Sequence, residues 1–148
     1  MILVDTNYFL RYLTQPVTPN DRVMRETART LFETVQRGEE ECTTTEVVLH
    51  EVIYILASRR HYNASADDIA AALKLVLQLP GFRLPRGDKR RYLRALDLYE
   101  THPTLGFADA VVAATVEQQD IPLATFDSHF DRLPGIARWQ PPPTDTSM

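Results

Sequence analysis

Two short apolar runs, each closely followed by an aspartate, constrain the fold of this chain more than any other feature. Met1–Val4 is continuously apolar and is cut off by Asp5, and Ile121–Thr125 is followed after one phenylalanine by Asp127. Runs of that length without polar alternation predict strands buried in a parallel sheet. Further short strands are predicted over Glu41–Thr44, Phe82–Leu84 and Gly135–Trp139. Helical periodicity fills the intervals: Asn7–Leu13, Asp21–Gln36, Glu46–Arg59, a helix capped by Ser65 and running through Leu79, one capped by Asp88 and ending near Thr101, and Phe107–Gln119. Pro16 and Pro19 are expected to break the chain between the first two helices.

Strands alternating with helices predict an α/β fold, a parallel sheet flanked by helices on both faces. The 148 residues suit one domain, expected over residues 1–140, with a flexible proline-rich tail over 141–148. A net charge of −4 argues against a protein that grips nucleic acid by bulk positive charge, though not against a local basic patch or bound cations. Cys42 is the only cysteine, which excludes an internal disulfide framework and a cysteine zinc cage. Asp5 interrupts the opening run too early for a secretory signal, and no apolar run nears the roughly 20 residues that span a bilayer, so the expected location is the cytoplasm, with no membrane contact.

In open α/β sheets the functional groups collect at the carboxyl ends of the strands, where Asp5 and Asp127 fall. Each also fits a turn or helix-cap aspartate. Glu51 stands on or beside the apolar stripe of its helix, with Val47 and Val48 one turn below and Tyr54 and Ile55 one turn above, a place where an unpartnered carboxylate is costly. Its competing role is a boundary residue reaching solvent. Asp109 is the only charge in Leu105–Ala114, and the alanines around it allow close packing; a first-turn capping role competes here.

Clustered carboxylates repel, so a site holding four must be neutralised by cations or raised pKa values. All-oxygen ligand sets suit hard divalent ions, Mg²⁺ or Mn²⁺, which activate water and hold phosphate for in-line displacement. Phosphodiester hydrolysis is the natural reaction.

Four blocks carry a family resemblance: ILVDTNYFLRYL, TTTEVVLHEVIYIL, LGFADAVVAA and LATFDSHFDRLPG. In this order and spacing, from Met1 to about Arg138, the chain resembles the PIN-domain nucleases, and within them the VapC-like toxins of toxin–antitoxin pairs. The resemblance implies that Asp5, Glu51, Asp109 and Asp127 are the catalytic, metal-binding acids for Mg²⁺ or Mn²⁺, supported by Thr6, Asn7 and Thr125. It further implies a helix-sandwiched parallel sheet, a homodimer, RNA as substrate and silencing by a cognate antitoxin. Many relatives carry an extra acid in the third block, two residues before the Phe107–Asp109 triplet or directly before it, and often another two residues after the fourth acid. Here Gly106 stands directly before the Phe107–Asp109 triplet and His129 takes the second place, so both departures thin the negative charge.

Arg86, Lys89, Arg90, Arg91 and Arg94 crowd together with Tyr92 among them, as a track for RNA phosphates with a stacking aromatic or as a solvated helix face. Arg59, Arg60 and His61 fit charge at a helix C-terminus. His50–Glu51 is not a zinc-protease motif, because Tyr54 occupies the position of the second histidine. Tyr8, Tyr54 and Leu56 fit core or interface positions, and His129 fits a surface histidine or a contact to metal or substrate. The sequence therefore favours a metal-dependent endoribonuclease toxin, with a catalytically inert partner-binding protein or a metal-dependent small-molecule phosphatase as alternatives.

Overall fold

A computed structural model describes residues 1–139; the expected tail over 141–148 lies outside them. Strand β1 (Ile2–Leu3) leads into helix α1 (Thr6–Leu13), then α2 (Pro19–Gln36), strand β2 (Cys42–Thr43), α3 (Glu46–Ala57), α4 (Ala66–Leu77), α5 (Asp88–Thr101) and α6 (Phe107–Gln119). Short 3-10 turns cover Pro103–Leu105 and Ser128–Arg132.

Local chemistry explains the helix starts. Pro19 does not break the chain but begins α2: it sits in the first turn, where its missing N–H costs nothing. Thr18 and Asp21 close a reciprocal capping box around it. Thr45 accepts from the Val48 N–H at 3.2 Å to start α3, and Ser65 accepts from the Asp68 N–H at 3.2 Å to start α4. Asp88 is the first residue of α5 rather than its cap, which falls to Gly87.

The parallel arrangement expected from the apolar runs is present, in a narrower sheet. β1 and β2 pair in parallel, Ile2 opposite Cys42 and Leu3 opposite Thr43. Phe82 adds a single parallel bridge on the far side of Cys42, through Cys42 N–H to the Gly81 carbonyl (2.9 Å) and Arg83 N–H to the Cys42 carbonyl (2.7 Å). The buried Thr44 hydroxyl donates to the Val4 carbonyl at 2.9 Å, so a side chain satisfies a main-chain group where the ladder ends. The runs expected to give strands over Ile121–Thr125 and Gly135–Trp139 shrink to one bridge, Leu123 with Arg138. Pro122 has no N–H to offer a ladder, which limits that segment. Among the described residues this bridge is separate from β1, and both β1 residues are exposed.

Phe9 of α1 ties three elements together. Its ring lies 5.8 Å from Phe32 of α2 and 6.3 Å from Phe82 beside the sheet, and all three rings are buried. Removing a phenylalanine so enclosed costs about 3–5 kcal/mol. Ala95 on α5 and Ala110, Ala113 and Ala114 on α6 are buried, and their small side chains let the two backbones approach. Lys74 of α4 binds both Asp97 and Glu100 of α5, joining those helices at their surface.

Candidate active site

Asp5 follows β1 by two residues and caps α1, its Oδ1 accepting the Thr6 N–H at 2.8 Å. An aspartate suits this place because the first N–H groups of a helix lack partners and carry partial positive charge. Thr6, buried in the first turn, turns its hydroxyl the other way and donates to Oε2 of Glu51 at 3.0 Å. Residues 45 positions apart are thereby fixed together at the carboxyl end of β1.

Glu51 takes the solvent-facing place that competed with the apolar stripe in the sequence. Val48, Leu49, Val52 and Ile53 are buried, whereas Glu51 is exposed on a face shared with Val47 and Tyr54. Its carboxylate is open to solvent and accepts from the Thr6 hydroxyl. Asn7 is also exposed.

Asp109 lies half-buried in the first turn of α6, a helix whose N-cap, Gly106, supplies no side-chain hydrogen bond. Asp127 caps the Ser128–Arg132 turn. Its Oδ1 accepts the His129 N–H at 2.8 Å and stands 2.7 Å from His129 Nδ1. The His129 backbone N–H, aided by the imidazole, holds the Asp127 carboxyl below its ordinary value. Thr125 Oγ1 accepts the Asp127 N–H at 3.0 Å, and the Thr125 carbonyl accepts from Arg138 at 2.9 Å. Arg138 also meets Asp131 at 3.3 Å, so it braces the Asp127 loop from two sides. Sequence reasoning missed this brace: a lone arginine near the chain end carries no signature.

The four acids are thus not equally assembled. Asp5 and Glu51 share Thr6, while Asp127 is held by its own loop. Among the described residues, no three His, Cys, Asp or Glu side chains group as they would around a metal ion. The donor chemistry nevertheless suits a hard cation: every candidate ligand is a carboxylate, and Asp5, Glu51 and Asp109 all reach the surface at least in part.

The basic cluster is largely occupied within the molecule. Lys89 donates to the Phe82 carbonyl at 3.1 Å, and burial pushes its ammonium pKa down. Arg91 binds Asp88 and Gln118, and Arg94 binds Glu117. Tyr92 is buried, not a surface stacking ring, and burial raises its phenol to about 12. Arg86 and Arg90 remain as surface cations at the rim of this cluster.

A protein-family model described as PIN domain matches residues 2–136. No curated protein matches the chain.

Proposed function

This chain belongs to the PIN domain family, and from that premise we propose that it is a metal-dependent endoribonuclease acting as the toxin of a toxin–antitoxin pair. The observation that carries the reading is the Asp5–Thr6–Glu51 connection at the end of β1, which holds two distant carboxylates in fixed relation. Asp5, Glu51, Asp109 and Asp127 are the ligands for Mg²⁺ or Mn²⁺. When bound, such an ion supplies the positive charge and water activation that phosphodiester hydrolysis requires.

The protein's own part is positioning. Thr6 engages Oε2 of Glu51 and thereby sets the plane of its carboxylate. The Thr6 N–H at the start of α1 holds the Asp5 carboxylate in place. Arg138 and Thr125 fix the loop of Asp127. Arg86 and Arg90, the surface cations at the rim of the basic cluster, offer a place for RNA backbone.

The resemblance to VapC-like toxins supports a cognate antitoxin, a homodimer and a cytoplasmic setting. No helix among the described residues is long and apolar enough to cross a membrane. The test is cleavage of total RNA with mapped ends. The chain is expected to cut with Mg²⁺ or Mn²⁺ and to stop in EDTA, and Asp5→Asn is expected to abolish cutting while preserving the fold. Full activity in EDTA would refute the mechanism.

A second reading, an inert PIN-fold partner-binding protein, is favoured by the His129 contact that occupies Asp127 and by the ungrouped acids. Calorimetry with Mn²⁺ separates the two, since the inert protein shows neither metal heat nor cleavage.

A further inference from the structure

A cleft of about 530 Å³ opens between α3 and the Pro103–Phe107 segment that leads into α6. Four rings line it: His50, Tyr54, Tyr99 and Phe107. The His50 imidazole stands edge-on to Phe107, with centroids 5.0 Å apart, and Tyr99 meets Phe107 at 6.3 Å in a similar T-shaped contact. Glu46, one turn back on α3, holds His50 by a 3.4 Å contact to Nε2. Tyr54 does not join this packed group; it is 75% exposed.

Chain neighbours tie the cleft to two of the acids, Glu51 and Asp109. His50 directly precedes Glu51, Tyr54 lies one turn beyond it on the same helix, and Ala108 directly precedes Asp109. Among the described residues its walls contain no lysine or arginine to neutralise a phosphate. They do have aromatic faces and edges, the surfaces on which proteins stack unpaired bases.

We propose that this cleft receives the nucleobase of the nucleotide next to the phosphate being cut, with Tyr54 as its stacking surface and His50 as its edge contact. The assignment rests on the ribonuclease reading for its place in the reaction, while the base site itself is measurable without cleavage. An exposed tyrosine beside a packed aromatic group leaves a ring face free for a base.

The experiment is an NMR titration of the metal-free full chain with AMP, GMP, CMP and UMP, using ribose 5-phosphate as control. At least one base-bearing nucleotide is expected to shift the ring signals of Tyr54 and His50, and ribose 5-phosphate to leave them in place. Tyr54→Ala is expected to weaken that binding roughly tenfold and, in end-mapped cleavage, to relax the base preference beside the cut. Unmoved rings with all four nucleotides, or equal shifts with ribose 5-phosphate, overturn the proposal. So does a Tyr54→Ala variant that changes from dimer to monomer with an unchanged nucleotide response, because the cleft is then a face between two copies. Ring shifts with no RNA cut in Mg²⁺ or Mn²⁺ uphold the base site and bring down the ribonuclease reading alone.

Discussion

The Thr6 hydroxyl donates to Glu51 at 3.0 Å from a position that is itself buried, so a neutral side chain sets the orientation of an exposed charged one. Thr6→Val keeps the shape and removes the donor. It is expected to cost about 1 kcal/mol of stability, the usual net value of one hydrogen bond, and to lower RNA cleavage far more than the melting temperature. Thr6→Ser, which restores the donor, should recover most of the activity. Parallel melts and single-turnover cleavage assays distinguish these outcomes; equal activity of the Val and Ser variants would remove Thr6 from the positioning role.

Asp21 gives a pH dependence with a definite sign. The Thr18 N–H and then the Val17 N–H donate to its Oδ2 at 3.1 and 3.2 Å, and together with Arg11 they hold its carboxyl below the ordinary 3.8. A carboxyl lowered in the folded state stabilises the fold above pH 3.8 and loses that contribution as pH falls through the lower folded value. Asp21→Asn is therefore expected to be less stable than the parent at neutral pH. The gap should close in acid below pH 3.8, as urea melts at stepped pH would record.

Gly81 is needed for its lack of a side chain. A Cβ there would collide with the Glu40 carbonyl oxygen and come within 2.8 Å of the Val35 carbonyl oxygen, both of them main-chain atoms that cannot rotate away. Gly81 also bonds to both neighbours, its N–H to Val35 and its carbonyl to Cys42. Gly81→Ala should cost about 1–3 kcal/mol, the range for forced overpacking. A denaturant melt within a few tenths of the parent would show that this crossing is looser than described.

Cys42 is fully buried in β2, and burial pushes its thiol up to about 11. A thiol so protonated and enclosed is a poor nucleophile. The native chain is expected to resist a disulfide reagent such as DTNB at neutral pH and to release one equivalent only on unfolding. Rapid native labelling would mean that the sheet opens locally around β2.

The helices were legible in the sequence because their signals are local. Ser65 capped α4 as expected, and the spacing of Val48, Leu49, Val52 and Ile53 correctly marked the buried side of α3. The sheet was less legible. Ile121–Thr125 reads as a strand by hydrophobicity, but pairing depends on a partner and on available N–H groups, and Pro122 has none. Asp5 follows a strand as expected, whereas the strand expected before Asp127 is a single bridge; both take the capping role that competed in the sequence, Asp5 on α1 and Asp127 on the Ser128–Arg132 turn. Their side-chain partners were not legible: Glu51 turns on Thr6, and Asp127 on His129, both tertiary or turn-level facts without periodicity. Asp109 lies in the first turn of its helix as the spacing suggested, yet its distance from the other acids belongs to packing alone.

Gly106 adopts φ +81° and ψ 155° immediately before Phe107, a backbone region essentially reserved for glycine. There is open space beside it, so volume would admit a carboxylate. The main chain would not, because any L-residue with a Cβ must strain there or pull Phe107 out of its contacts with His50 and Tyr99. Placing an acid at this one position is thus not a single-step change: a charge gained there means rebuilding the entry to α6, and with it the packing of Phe107 that shapes the aromatic cleft.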